Sequence, residues 1–254
     1  MILVARTEQK ADQVLRQLAS EVGNDRLHTV IADLSVQSDI RHLAAEIARR
    51  CSRLDVLVNN AGVISPERFV TPDGIELTWA VNHLAPFLLT NLLTDLLVNS
   101  APARVVTVAS RSQGRGIVDL SDVQFERRPY DMLVAYAQSK LANVMFTVEL
   151  ARRLQGTGVT ANCLHPGFVA TNLGRRPNGD LTLLWRIVRR FAASADRGAR
   201  TSLYLSLSPD VTGATGRYFV GRNSVAPNPL CGDAELTSRL WAVSETMTKL
   251  SASD

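Results

Sequence analysis

The chain has 254 residues, of which 46% are hydrophobic and 20% are charged, a composition typical of one soluble globular domain. Its net charge of +4 is small and its arginines are spread along the chain, which argues against a nucleic-acid partner. The three cysteines are far apart, the four histidines form no metal-binding pattern, and no apolar run reaches the ~18 residues of a membrane span. We therefore expect a cytoplasmic protein without a metal site or a transmembrane segment.

Apolar segments of strand length alternate with segments of helical periodicity along the chain. In order, they predict strands at 1–6, 27–32, 54–58, 104–108, 159–164 and 217–220, and helices at 7–23, about 40–48, 71 or 73 to 98, around 136–140, 196–207 and 234–250. Short apolar strands that alternate with helices are typical of a parallel sheet covered on both faces. The sequence therefore predicts a single α/β domain over residues 1–254.

Polar or glycine-containing motifs follow five of the predicted strands. They are Arg6, Asp33, Asn59–Gly62, Ser110 and Pro166-Gly167. In parallel α/β sheets, ligands bind beyond the carboxyl ends of the strands. We therefore expect these five strand ends to meet in one crevice.

Tyr136 and Lys140 are four residues apart in a predicted helix, which puts their Cβ atoms roughly 5–6 Å apart on one face. An ammonium beside a phenol lowers the pKa of the phenol from its usual ~10, so Tyr136 is a candidate general acid or base. Lysine is rare here, because the chain has three lysines against twenty-five arginines. The alternative is that Tyr136 packs on an apolar face while Lys140 is solvated, and the spacing alone leaves both interpretations open.

Taken together, Asn59-Asn60-Ala61-Gly62, Ser110, Tyr136-x-x-x-Lys140 and Pro166-Gly167-x-Val169-x-Thr171 resemble the motifs of short-chain dehydrogenases/reductases. The segments LTWAVNHLAPFLLTNLL and YAQSKLANVMFTVELARRLQGTGVTANCLHPG narrow the resemblance to the retinol-dehydrogenase-like branch, which includes the oxidoreductases with WW domains. The resemblance extends from residue 1 to about residue 220. It implies a Rossmann-like, doubly wound parallel sheet and hydride transfer between a nicotinamide coenzyme and an alcohol or carbonyl group.

The resemblance assigns catalytic roles around Tyr136. This residue would exchange a proton with the substrate oxygen, while Lys140 would lower the pKa of Tyr136 and hold the nicotinamide ribose. Ser110 would donate a hydrogen bond to the substrate oxygen, with Ser112 as the alternative serine.

Asn82 matches the fourth catalytic position of the family, where a main-chain carbonyl is thought to hold a water that relays protons to the lysine. Pro86 would leave this carbonyl available to a water, because proline has no N–H to donate to the carbonyl of Asn82 four residues earlier. The alternative is that Pro86 only kinks the helix, and the two interpretations are compatible.

The same resemblance implies a coenzyme site along the strand ends. Asp33 would bind the adenine amine, and Arg6, at the end of the first strand, suits the 2′-phosphate of NADP(H) better than the 2′-hydroxyl of NAD. NADP(H) is therefore the expected coenzyme, with NAD as the alternative because Glu8 lies nearby. The other implied contacts are Leu34, Asn60, Ala61, Gly62, Tyr136, Lys140, Pro166, Gly167, Val169 and Thr171.

Residues 172–195 occupy the position of the family's substrate lid. Segment 182–193 combines aliphatic and aromatic side chains with three arginines, which predicts an apolar roof over a small lipophilic substrate of retinoid, steroid or aliphatic type. The alternatives are an amphipathic helix packed on the core and a basic face on membrane lipid. Members of the family often dimerise through the long helix and the tyrosine helix, so the resemblance also admits a homodimer.

The chain departs from the family at its start. The family begins with a strand, a glycine-rich turn and a helix that holds the pyrophosphate, whereas this chain opens at what corresponds to the second strand and has no glycine before Gly23. The absent strand is the central one, so its neighbours are expected to have unpaired edges. One hypothesis is a misplaced start of a full enzyme, which the complete catalytic set favours. The other is a truncated, inactive protein that acts only through protein contacts.

Overall fold

The structure is a computed structural model that describes residues 1–22, 26–167 and 195–250. The described residues form seven strands: β1 (Ile2–Ala5), β2 (His28–Ile31), β3 (Val56–Asn59), β4 (Ala103–Val108), β5 (Val159–His165), β6 (Tyr218–Val220) and β7 (Asn223–Val225). They also form eight α-helices: α1 (Glu8–Val22), α2 (Gln37–Arg50), α3 (Leu77–Trp79), α4 (Ala85–Leu92), α5 (Thr94–Asn99), α6 (Met132–Arg153), α7 (Ala195–Leu207) and α8 (Ala234–Thr248). The alternation of strands and helices is confirmed, and β7 is an addition that the sequence did not predict.

The strands form two sheets. One sheet pairs β1 with β2 in parallel, and the other has the order β3-β4-β5-β6-β7, parallel except for the antiparallel pair β6–β7. Within the described residues, β1 pairs only with β2, and β3 pairs only with β4. The expected unpaired edges are therefore confirmed, and Val4 of β1 and Val58 of β3 are 40% and 42% exposed.

One apolar cluster joins the two sheets. It includes Val30 of β2, Leu57 of β3 and Val105 of β4, together with Phe87 and Phe146 from the helices that cover them. Burial of side chains of this size contributes roughly 1.5–3 kcal/mol each. The two sheets therefore share one core, and the predicted α/β fold with parallel strands is confirmed.

The predicted long helix from residue 71 or 73 to 98 is wrong in its start and in its continuity. The observed helical segment starts at α3, because the buried carboxylate of Glu76 accepts hydrogen bonds from two backbone N–H groups of the first turn. A π-helix over Ala80–Leu84 separates α3 from α4, directly before the turn that contains Pro86. A further break at Leu93 separates α4 from α5.

Two predicted features lie outside the described residues. They are the lid at about 172–195, apart from Ala195, and the coenzyme contacts Val169 and Thr171. Among the helices in the described ranges, none has the length and apolar character needed to cross a membrane.

Candidate active site

The catalytic residues predicted from the sequence lie at the carboxyl end of the five-stranded sheet. Ser110 follows β4, Gly62 follows β3, and Tyr136 and Lys140 lie in α6, which packs against β4 and β5. A Cβ atom added to Gly62 would lie 3.3 Å from Lys140 Nζ and 3.4 Å from Asn82 Oδ1. The loop after β3, the π-helix and α6 therefore meet at one point.

α6 places Tyr136 and Lys140 one turn apart. Asp131 caps this helix by accepting hydrogen bonds from two backbone N–H groups of its first turn. Lys140 Nζ lies 5.8 Å from the centre of the Tyr136 ring and donates a 2.9 Å hydrogen bond to the carbonyl of Val108, the last residue of β4. Lys140 is buried, so the interpretation of this lysine as a solvated surface cation is wrong.

Burial dominates the electrostatics of both residues. It lowers the pKa of Lys140 to about 8, and it raises the pKa of Tyr136, an effect that a hydrogen bond from Ser110 partly offsets. The predicted net lowering of the Tyr136 pKa is therefore wrong for the chain alone. The reason is that desolvation of the buried phenol has the largest effect on its pKa.

Ser110 lies at the start of a short 3-10 helix over Arg111–Arg115. Its Oγ accepts a hydrogen bond from the Ser112 N–H at 3.2 Å and donates to Ser112 Oγ at 3.3 Å. The Ser110 hydroxyl also lies close enough to Tyr136 to lower the pKa of its phenol, and its one proton can serve either Ser112 or Tyr136. Of the two candidate serines, Ser110 therefore contacts the tyrosine, and Ser112 contacts Ser110.

Asn82 lies in the π-helix and is fully buried. Its Oδ1 accepts a hydrogen bond from the Val63 N–H at 2.7 Å, and its Nδ2 donates to the Val63 carbonyl at 2.9 Å and to Ser139 Oγ at 3.0 Å. The side chain thereby fixes the loop after β3 onto α6, next to Lys140. Reasoning from the sequence considered only the main-chain carbonyl of Asn82 and missed this role, and the water on that carbonyl stays a prediction.

The predicted coenzyme residues divide between the two sheets. Arg6 is exposed at the end of β1. Asp33 follows β2, where its Oδ1 accepts hydrogen bonds of 2.9 Å and 2.7 Å from the backbone and side chain of Ser35. The neighbouring Leu34 packs against the apolar core. This end of the candidate site therefore rests on the two-stranded sheet.

The other coenzyme residues follow strands of the five-stranded sheet. Asn60 and Ala61 are exposed after β3. Pro166 and Gly167 follow β5, and Gly167 has a φ of 88°, a conformation that favours glycine. These residues border the same end of the sheet as the tyrosine and the lysine.

Two side chains that the sequence analysis did not include hold the loop after Ser110. His165 Nδ1 accepts a hydrogen bond from the Arg111 N–H at 3.3 Å. Asn228 Nδ2 donates to the carbonyls of Gln113 and Gly116 at 3.0 Å and 3.1 Å. The only sequence signal for His165 was its place directly before the Pro-Gly motif, and Asn228 had none. In the described part of the chain, no group of three or more His, Cys, Asp or Glu residues could hold a metal ion.

The sequence pattern of the short chain dehydrogenases matches residues 1–181. The chain belongs to this family. It is similar to human retinol dehydrogenase 13, with 40% identity over 257 residues that cover 99% of this chain and 78% of that protein. The WW domain-containing oxidoreductase of Pongo abelii is 35% identical over 254 residues, which cover 97% of this chain and 61% of that protein. A solved structure of an uncharacterised Mycobacterium paratuberculosis protein matches with a TM-score of 0.76 and 32% identity, over 98% of this chain and 83% of the other.

These similarities confirm the resemblance to the retinol-dehydrogenase-like branch. They make the chain an alcohol or carbonyl oxidoreductase of the short-chain dehydrogenase family. Enzymes of this family use NAD or NADP as the hydride carrier.

Proposed function

We propose that the chain transfers a hydride between NADP(H) and a lipophilic carbonyl or alcohol of retinoid, steroid or aliphatic type. The observation that carries the proposal is that the buried Lys140 Nζ lies 5.8 Å from the Tyr136 ring, while the Ser110 hydroxyl is near enough to lower the pKa of Tyr136. A phenol and a hydroxyl that face each other can both hydrogen-bond to one substrate oxygen. Donors fixed around that oxygen stabilise the charge that develops on it during proton and hydride transfer.

Tyr136 would act as the proton donor. Because burial raises its pKa, the phenol is protonated near neutral pH, which is the form that carbonyl reduction requires. Lys140, with a pKa of about 8, is mostly cationic at neutral pH and would stabilise the phenolate that remains after proton transfer. Reduction is therefore the direction that these residues favour.

The residues around Gly62 suit a nicotinamide coenzyme. Gly62 leaves open the space that a Cβ would fill beside Lys140 Nζ and Asn82 Oδ1, so ribose hydroxyls can approach the lysine. When bound, the coenzyme supplies or accepts the hydride. Asp33 would hold the adenine. The other proposed contacts are Leu34, Asn60, Ala61, Pro166, Gly167, Val169 and Thr171.

Arg6 is the reason for proposing NADP(H). It is exposed at the carboxyl end of β1, where an arginine accommodates a 2′-phosphate through charge-assisted hydrogen bonds. A lipophilic substrate is proposed because the similar human proteins are retinol dehydrogenases. Leu133, which is 64% exposed and precedes Tyr136 by three residues on α6, offers an apolar contact on the tyrosine's side of the helix.

Initial rates with the purified chain test the proposal. We would compare NADPH with NADH, using retinal, a steroid ketone and decanal as lipophilic substrates and glyceraldehyde as the hydrophilic control. We expect faster turnover with NADPH and with the lipophilic carbonyls. Faster turnover with NADH would contradict the proposed preference for NADP(H). A preference for glyceraldehyde would contradict the proposed lipophilic substrate.

A second candidate function rests on the divided sheet. The edges of β1 and β3 are unpaired in the described residues, and residues 1–22 contain no glycine for a pyrophosphate-binding turn. In this second candidate function, the chain binds no coenzyme and acts through protein contacts alone. A cooperative unfolding transition together with no turnover under any of these conditions would favour this second candidate.

A further inference from the structure

The residues that follow β4 are held by two successive contacts to β5. The Ala109 N–H donates a 2.8 Å hydrogen bond to the carbonyl of Leu164, and the Arg111 N–H donates a 3.3 Å hydrogen bond to Nδ1 of His165. Alternate N–H groups of an extended chain face the same neighbouring strand. The hydrogen-bond ladder between β4 and β5 is thus extended by one rung, in which an imidazole nitrogen replaces a carbonyl oxygen.

Ser110 lies between these two rungs. Its backbone is extended, with a φ of −162° and a ψ of 160°. The Arg111 contact fixes the peptide group that directly follows Ser110, and the Ala109 contact fixes the peptide group one residue before Ser110. This backbone sets the direction in which the Ser110 side chain leaves the chain. The position of Ser110 Oγ relative to Tyr136 therefore depends on the Arg111 contact.

The His165 ring is suited to this contact. An imidazole nitrogen accepts a hydrogen bond only when it carries no proton, so the ring must be neutral with its proton on Nε2. Burial and the nearby charge of Arg111 lower the pKa of His165 to about 4, so the ring is neutral in the physiological range. An unperturbed histidine, with a pKa near ~6.5, would lose this acceptor in mild acid.

We propose that His165 is a positioning residue of the active site, which accepts the Arg111 N–H and thereby fixes Ser110 against Tyr136. This inference rests on the proposed function, because that function gives Ser110 its role at the substrate oxygen. His165 acts through the backbone of Arg111.

Two substitutions at position 165 distinguish the effect of the hydrogen-bond acceptor from the effect of side-chain size. His165→Leu removes the acceptor, whereas His165→Asn retains one. We expect His165→Leu to lower kcat about 10-fold to 100-fold, less than the 10²–10³-fold typical of deleting an oxyanion donor. The Kd for NADPH should change less than about twofold, because the lost interaction acts on the chemical step. His165→Asn should recover most of kcat, and His42→Leu, at an exposed position of α2, is the matched control.

A double-mutant cycle distinguishes positioning from a general structural role. If His165 acts through Ser110, His165→Leu should lower kcat little further in the Ser110→Ala background. Additive losses, an unchanged kcat in His165→Leu, or a rise in the NADPH Kd that matches the fall in kcat would overturn the proposal.

Amide hydrogen exchange tests the contact without turnover. We expect the Arg111 amide to exchange about tenfold faster in His165→Leu than in the parent chain, while the Ala109 amide stays protected. Unchanged exchange at Arg111 would overturn the proposal. A parent chain that protects this amide but reduces no carbonyl would contradict the proposed function and leave the His165 contact standing.

Discussion

The central strands of the five-stranded sheet are covered more completely than the two strands of the other sheet. β4 and β5 are buried along most of their length, whereas most residues of β1 and β2 are exposed or partly exposed. The same contrast holds for the helices. Most residues of α6 are buried, whereas among the described side chains of α1 only Ala11 is.

The residues of the proposed catalytic and 2′-phosphate sites follow this division. Ser110, Tyr136 and Lys140 belong to the well-covered sheet, and Arg6 and Asp33 belong to the thinly covered one. Proton transfer needs fixed distances and pKa values shifted by burial, whereas recognition of a coenzyme phosphate needs an accessible cation. This division implies that proton chemistry and coenzyme selection can be lost independently.

Tyr136→Phe should have the largest effect on turnover. The substitution removes the proposed proton donor, so we expect kcat to fall by about 10²–10⁴-fold. The NADPH Kd should stay close to that of the parent chain. Steady-state kinetics and a coenzyme titration measure the two quantities, with Tyr204→Phe in α7 as the matched control. Unchanged turnover in Tyr136→Phe would eliminate the mechanism.

Lys140→Met should lower turnover and raise stability. We expect kcat to fall by about 10²-fold or more, because the phenolate loses its cation. Burial of the ammonium holds the pKa of Lys140 at about 8, so the charged form destabilises the folded chain at neutral pH. The free energy of unfolding should therefore rise by about 1–3 kcal/mol in the variant.

The pH dependence of this gain in unfolding free energy tests whether burial of the ammonium causes it. The unfolded chain holds the lysine proton up to a pKa of ~10.5, whereas the folded chain releases it near 8. The difference in unfolding free energy between Lys140→Met and the parent should have its largest value below pH 8 and should shrink as the pH rises towards ~10.5. Denaturant unfolding at several pH values measures it. A difference that grows in this range would contradict burial as the cause.

Gly116→Ala should disturb the contact between the serine loop and α6. A Cβ atom at Gly116 would lie 2.7 Å from the Ala137 carbonyl oxygen and 2.8 Å from Leu141 Cβ, so the loop or the helix must shift. We expect a loss of about 1–3 kcal/mol in unfolding free energy. We also expect kcat to fall about tenfold, because small displacements near reacting atoms are costly.

Gly114→Ala is the matched control for this substitution, because a Cβ at Gly114 meets no atom within 4 Å. Thermal unfolding and initial rates on both variants measure the effects. Equal behaviour of the two variants would show that the approach of the loop to α6 does not matter for the site.

Arg6→Ala should have the smallest effect on stability and a selective effect on the coenzyme. Arg6 is exposed, so the unfolding free energy should change by less than about 0.5 kcal/mol. Loss of a charge-assisted contact should raise the NADPH Kd by about tenfold or more and leave the NADH Kd nearly unchanged. Parallel titrations with the two coenzymes measure this. A common change in both affinities would contradict 2′-phosphate recognition by Arg6.

The sequence was most informative where local geometry decides the structure. The spacing of Tyr136 and Lys140 places them on one face of any helix. The motifs after the strands lie at the carboxyl ends because strand direction follows from the alternation of strands and helices. The strand order of the family also predicts that β1 and β3 each have an edge without a partner in the described residues.

The remaining features depend on tertiary contacts. The start of the long helix is set by the buried carboxylate of Glu76, and a capping glutamate before the first turn is a weak signal in a sequence. The pKa of Tyr136 depends on burial and on the nearby hydroxyl of Ser110, which lies on another element. The role of His165 requires that β4 and β5 be neighbours in register. None of these follows from spacing along the chain.

The most direct test of the division between the two sheets is an NADPH fluorescence titration of the parent chain, Tyr136→Phe and Arg6→Ala. We predict saturable binding to the parent chain, the same binding curve for Tyr136→Phe, and a curve for Arg6→Ala that is shifted to higher NADPH concentration. No saturable binding to a cooperatively folded parent chain, or an equal shift in both variants, would contradict the account.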